Sequence, residues 1–300
     1  MLTFPIRQIF IEGPDCSGKT TLIKKIHDAT NYRFHINDRS LVSRKIFSEL
    51  YDRKTPRVNE DFHLEISNLN NVFIFLLPDF SVVEERFLER GDDIHQDISS
   101  IKNVYEAFDL EFKKLKDLPN VMFYCWPNTS EIAKHVSRDL ISRENSSVED
   151  VSSQITSFVE CIGGESYPLE FSLYDDCSFN SVDPSSMLYK PEVEYYCGIY
   201  SKIHKKIDNE LAGNNEYKRV EDEMSRRFVY SDDSCISFIQ VSIRNSLMDF
   251  HTVFRSTDVR TTFPFDLKFL YFLGSTCYQK FSDSCNSVRF RFSLNSAHIL

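Results

Sequence analysis

Residues 10–22 read FIEGPDCSGKTTL, and the spacing of Gly13, four residues, then Gly18-Lys19-Thr20 is that of a loop that wraps phosphate groups. Glycines let the backbone turn so that successive amides face phosphate oxygens, and the helix that follows adds partial positive charge at its N-terminus. Gly13, Asp15, Cys16, Ser17, Gly18, Lys19, Thr20 and Thr21 are therefore the candidate ATP-binding residues. In such a loop Lys19 reaches the β- and γ-phosphates, and the Thr20 hydroxyl ligates Mg²⁺. The plain alternative is an ordinary strand-to-helix turn.

The flanks supply the context that a phosphate loop needs. Gln8 to Ile11 predicts a buried strand, and Thr20 to Ala29 a helix with Leu22, Ile23 and Ile26 inward. A second strand is expected at Tyr32–Ile36, followed by Asn37-Asp38-Arg39-Ser40 and a helix ending near Leu50. The continuous apolar run Val72–Leu77 predicts a strand covered on both faces, and the three- or four-residue spacing from Ile98 to Leu115 a long amphipathic helix. Val121–Tyr124 and Glu131–Ile141 add a strand and a helix. Alternating elements of this kind predict an α/β domain with a parallel sheet over residues 1–145.

The serine-rich stretch SRENSSVEDVSSQITS, starting at Ser142, shows no clear period, which places a linker at 146–160. Beyond it, strict alternation at Met248, Phe250, Thr252, Phe254 and at Val288, Phe290, Phe292, Leu294 marks half-buried strands, with a core helix at Leu267–Cys277 between them. Residues 161–300 are expected to form a smaller α+β domain.

A formal charge of −10 over 300 residues provides no broad basic field for polymeric nucleic acid, so small nucleotides are the favoured ligands. Eight scattered cysteines without a C-x-x-C pair, and no signal peptide, predict reduced thiols in a cytoplasmic protein. The longest clear apolar run, Val72–Leu77, is strand-sized, so no membrane contact is expected.

The acidic EGPD opening of the loop, the Asp38-Arg39-Ser40 step and the segment FIFLLPDFSVVEERFLERGDD from Phe73 together resemble the thymidylate kinases and deoxynucleoside kinases. The resemblance covers most of residues 7–140. It implies ATP- and Mg²⁺-dependent phosphoryl transfer to a deoxynucleoside or its monophosphate, with Glu12 and Asp15 near the acceptor, Asp38-Arg39 lining its pocket, and Arg86 and Arg90 in a lid over the phosphates. Such transfer asks chiefly for positioning and charge neutralisation, and a carboxylate such as Glu12 or Asp38 can orient an acceptor hydroxyl. Taken alone, Arg86 and Arg90 also fit a solvated helix end, and Asp38-Arg39 a structural ion pair.

Three ordered motifs in the second half, SRRFVYSDDSCISFIQ from Ser225, FRSTDVRTTFPFDL from Phe254 and SAHIL at the end, resemble the thymidylate synthases and deoxycytidylate hydroxymethylases. Cys235 and Arg255 stand twenty residues apart, the interval between nucleophile and phosphate-binding arginine in that family. The resemblance implies that Cys235 attacks C6 of a pyrimidine nucleotide. Arg255 and Ser256 would hold the 5′-phosphate, Arg226 and Arg227 would reach it from a partner subunit of a homodimer, Asp258 would contact the site, and His298 would meet the sugar. Asp266, where the synthases have asparagine, favours cytosine over uracil.

The chain departs from that family at Ile236, Phe254 and Leu300, where histidine, glutamine and tyrosine are usual, and no glutamate is placed beyond the candidates Glu165 and Glu170. The segment that closes over folate has no counterpart after Leu300, which makes a folate cofactor doubtful. Two readings of this half remain open: an active C5-transferase, or a degenerate domain that binds a deoxynucleotide or only dimerises. For the whole chain the expectation is a kinase serving pyrimidine deoxynucleotide metabolism, a pairing suited to a virus, in the host cytoplasm. Alternatives are a kinase for hydroxymethylated pyrimidines in nucleotides or DNA and a non-catalytic nucleotide sensor or scaffold.

Overall fold

The computed structural model describes residues 2–90, 97–144, 147–166, 168–177, 179, 193–211 and 224–299. They form two compact units, Ile6–Glu144 and Met1–Pro5 joined with Asn145–Leu300. A short strand, β1 (Leu2–Thr3), belongs to the latter.

The Ile6–Glu144 unit runs β2 (Gln8–Glu12), α1 (Lys19–Thr30), β3 (Ile36–Asp38), α2 (Leu41–Leu50), α3 (Val58–Ile66), β4 (Asn71–Leu76), α4 (Phe80–Arg90), α5 (Ile98–Leu115), β5 (Val121–Tyr124) and α6 (Thr129–Glu144). Its sheet has the order β3-β2-β4-β5 with every pair parallel. It is thus an α/β unit built on a parallel sheet, as the alternating elements predicted. Alternate residues of β2 and β4 face opposite ways: Ile9, Ile11, Val72, Ile74 and Leu76 pack with Leu22 and Ile26 of α1 and Ile132, Val136 and Leu140 of α6. On the other face Phe10 stacks on Phe73 at 5.2 Å, and Phe75 meets Phe112 of α5 at 5.4 Å. Helices on both faces explain why β4 is buried along its whole length, as its unbroken apolar run requires.

The second strand begins later than expected. Asn31 and Tyr32 adopt left-handed φ values of 50° and 56°, and Tyr32 stacks on His27 at 4.8 Å, so this stretch closes α1 instead of extending as a strand. The strand proper is Ile36–Asp38.

The second unit continues with α7 (Val148–Cys161), β6 (Glu165–Ser166), β7 (Leu169–Asp175), α8 (Val193–Leu211), β8 (Met224–Ser231), β9 (Ile236–Arg244), β10 (Leu247–Phe254), β11 (Thr257–Asp258), α9 (Phe263–Gln279), β12 (Ser287–Leu294) and β13 (Ala297–His298). The sheet order is β1-β7-β12-β10-β9-β8, in which β10 and β12 are parallel and the other pairs antiparallel. Helix α9 is the crossover between the parallel pair. Its Gly274 lies so close to the sheet that a β-carbon would sit 2.5 Å from the Phe290 ring. A small sheet, β11-β13-β6, sets Asp258 beside His298.

The expected linker at 146–160 is corrected by α7. Ser147 and Asp150 form a reciprocal capping box, and Val151, Ile155, Phe158 and Val159 are buried. Of the serines in that stretch, Ser147 caps the helix, Ser152 is buried in it, and Ser153 and Ser157 lie on its exposed face. Among the described residues no disulfide joins the cysteines, and no helix is long and apolar enough to cross a membrane.

Candidate functional site

Strand β2 ends at Glu12, and the next residue must turn sharply under β4. Gly13 does so at φ 146°, where a β-carbon would collide with the Leu76 carbonyl oxygen. Only glycine fits this combination of dihedral and close approach. Cys16 takes a left-handed φ of 61°, and Gly18 at φ 101° starts α1 with no side-chain cap. The first amides of an α-helix lack intrahelical acceptors, and no acidic side chain occupies the first turn of α1. The helix therefore presents donors and partial positive charge to whatever lies beyond.

Beyond them lies a cavity of about 430 Å³ lined by Asp15, Cys16, Gly18, Lys19, Thr20, Thr21, Asp38, Arg39, Arg86, Glu89, Arg90 and Thr129. Four cations against three carboxylates, hydroxyls and an open helix start suit a polyanion carrying a divalent ion. The fit has a further mark: the buried Ser17 Oγ, in the middle of the loop, has no hydrogen-bond partner. No cluster of His, Cys, Asp and Glu able to hold a metal by itself occurs among the described residues. Thr20, exposed to the cavity, is the residue whose hydroxyl would hold Mg²⁺ together with phosphate oxygens.

Lys19 is almost wholly buried and folds back on its own loop, donating to the carbonyls of Gly13 at 2.9 Å and Pro14 at 2.7 Å. Burial pushes its ammonium below the ordinary lysine value, against the opposing pull of Asp15. Asp15 pairs with Arg39, whose guanidinium also lies 4.9 Å over the Phe47 ring. Asp38 is exposed at the cavity wall.

The two arginines expected in a lid occupy different positions. Arg86 donates to the carbonyls of Ser17 at 2.8 Å and Cys16 at 3.3 Å and to Pro127 O at 3.2 Å. It braces the loop against the start of α6. Arg90, one turn further along α4, is exposed and lines the cavity. Glu12 also departs from expectation: it does not line the cavity, because its carboxylate is fully buried against Ser40 and Ser43. Burial raises that carboxyl above its usual value despite these hydrogen bonds. Glu89 and Thr129 line the cavity unforeseen. The spacing of Glu89 beside Arg90 was the available signal for the first, whereas nothing local marks Thr129.

In the second unit, the ends of β9 and β10 bring Cys235 and Arg255 together: the Arg255 amide donates to Cys235 O at 2.9 Å, and both residues are exposed. Ser256 Oγ lies 3.3 Å from His298 Nδ1. Two candidates are turned inward instead. Asp258 caps its own turn, accepting from the Arg260 amide at 2.9 Å and the Thr261 hydroxyl at 2.7 Å, and Asp266 is buried against the Tyr196 hydroxyl at 2.7 Å. Neighbouring Tyr195 holds the Ile236 amide at 3.0 Å and Ser234 Oγ at 2.9 Å, bracing both flanks of Cys235, a role its sequence surroundings do not announce. Arg226 and Arg227 fall on β8, and Glu165 on β6, but their side chains lie outside the described residues. Leu300 lies outside them too. Glu170 is exposed on β7.

No known protein family and no curated protein matches the sequence. Among solved structures, the YorR protein of Bacillus subtilis, in complex with phosphorylated GDP, aligns with a TM-score of 0.34 and 20% identity over 45% of this chain and 94% of its own. Thymidylate synthase from T4 phage aligns with a TM-score of 0.24 and 22% identity over 34% of each chain. The chain thus resembles these proteins weakly and over part of its length.

Proposed function

We propose that the Ile6–Glu144 unit is a phosphotransferase that takes the terminal phosphoryl group of ATP and passes it to a small acceptor, a pyrimidine deoxynucleoside or its monophosphate. The observation that supports this reading is the uncapped start of α1 opening into a cavity shared by Lys19, Arg39, Arg86, Arg90 and Asp38. A hydrolase needs only water beside the phosphates, whereas the Asp15–Arg39 pair and Asp38 form a polar wall suited to a second ligand.

In this mechanism the triphosphate exchanges with the Gly13 and Pro14 carbonyls for the Lys19 ammonium. The α1 amides hold the β-phosphate, and Arg90 neutralises charge on the transferring group. Mg²⁺, which the Thr20 hydroxyl would help to hold, would supply further charge neutralisation. The acceptor hydroxyl, or phosphate oxygen, forms a bond to γ-phosphorus as the bond to the ADP oxygen breaks. Asp38 orients a hydroxyl acceptor and takes its proton. Incubation with MgATP and individual deoxynucleosides or monophosphates should give ADP that depends on one acceptor. ADP formed equally without acceptor would mean a simple ATPase, and no ADP a sensor.

For the second unit the proposal is binding of a pyrimidine deoxynucleotide, cytosine preferred, in a homodimer. The convergence of Cys235, Arg255, Ser256 and His298 supports it. Tritium release from C5-labelled dCMP or dUMP, lost in Cys235→Ser, would extend binding to covalent activation of C6. Nucleotide binding without release would leave a non-catalytic receptor.

A further inference from the structure

The buried carboxylate of Glu12 is left without a part in the transfer just described, and its surroundings assign it one. It is the last residue of β2, adjoining Gly13, and its side chain is inaccessible to solvent. One oxygen accepts the Ser40 amide at 2.5 Å and the other the Ser43 hydroxyl. The Leu41 amide donates to Glu65 Oε2 at 2.9 Å, and the Val42 amide to Ser40 Oγ at 3.0 Å. Three successive donors at the start of α2 thus have three different acceptors, one of which is anchored at the root of the phosphate loop.

The segment held in this way carries Asp38 and Arg39. Arg39 sits at φ 75°, an uncommon conformation for a long side chain, with its amide on Ile11 O at 3.1 Å and its guanidinium on Asp15. A backbone in that region persists only when its neighbours over-determine it, and Glu12 fixes the very next residue. We infer that Glu12 is a positioning residue that ties the Asp38-Arg39 step to the phosphate loop and so sets acceptor affinity, without touching either ligand. This role rests on the phosphotransferase reading.

The test compares Glu12→Gln with Glu12→Ala. Glutamine can accept the Ser40 amide through its carbonyl and donate to the Ser43 oxygen through its amide, so it keeps both links without the charge. Alanine strands both donors in a buried site. With MgATP and each of the deoxynucleoside monophosphates in turn, Glu12→Ala should raise the acceptor KM about 10- to 100-fold while leaving the MgATP KM nearly unchanged, and Glu12→Gln should restore it. A glutamine variant as inactive as the alanine variant would overturn the inference in favour of proton transfer by Glu12. Unchanged kinetics in both variants would also overturn it. Hydrogen exchange at the Ser40 amide provides a readout that needs no turnover: fast in Glu12→Ala and protected in Glu12→Gln supports the tie, equal protection in all three proteins refutes it. If the wild-type protein shows no transfer, the phosphotransferase reading fails while the exchange data still decide whether Glu12 holds the segment.

Discussion

Helices α1 and α2 both follow a strand of the same parallel sheet, yet they begin in opposite ways. At α2 the Ser40, Leu41 and Val42 amides are met by Glu12, Glu65 and Ser40 Oγ. At α1 there is no side-chain cap, the first turn holds no acid, and the amides face a cavity bordered by cations. A buried helix end without partners is costly, so the bare end is meaningful where the saturated one is not. The α2 end is finished as structure, whereas the proposed function assigns the α1 end to an anion.

The contrast can be broken most forcefully at Lys19. Lys19→Ala should cut phosphoryl transfer about 10²- to 10³-fold, the usual cost of removing one charge-stabilising donor, while circular dichroism and melting remain close to wild type, because the Leu22 and Ile26 core beneath is untouched. Gly13→Ala attacks the same end through the backbone. Its left-handed dihedral alone costs about 1–2 kcal/mol, and the collision with Leu76 O adds to that, so a denaturant titration should show a clear loss of stability alongside lost nucleotide binding. At the finished end, Ser40→Ala removes one cap and should cost about 1 kcal/mol with no change in ATP affinity measured by calorimetry.

The smallest effect concerns pH. Burial raises the Glu12 carboxyl in the folded protein above its unfolded value of 4.5. The folded state then binds more protons than the unfolded chain between those two values, and stability must fall as pH climbs through that window. Below 4.5 the penalty is absent, and above the folded value it is complete. In Glu12→Gln the slope of melting temperature against pH should flatten without vanishing, because burial also raises Glu65. An unchanged slope would mean that the Glu12 carboxyl is not held as described.

The turn from β2 into α1 was legible because its constraints are local: Gly13 and Gly18 serve dihedrals that few other residues accept, and strand and helix flank them directly. Strand β4 was legible because burial on both faces leaves an unbroken apolar run. Helix α7 was hidden by its composition, although Val151, Ile155, Phe158 and Val159 carry a helical period beneath the serines, and Ser147 with Asp150 spells a cap. Tyr32 alternates with Phe34 and Ile36 as a strand would, but a left-handed turn after α1 overrides the pattern. What sequence could not separate were roles set by long-range contacts. Arg86 and Arg90 look alike in the chain, and only the fold turns one toward the loop carbonyls. Glu12 reads as a site residue, and only the approach of α2 shows that its carboxylate is spoken for.

Calorimetric titration of MgATP into the wild-type protein and Lys19→Ala tests the central claim most directly. The account predicts one saturable site per chain in the wild type and a marked loss of affinity in the variant. Absence of uptake by the wild type, or equal affinity in the two proteins, would contradict it.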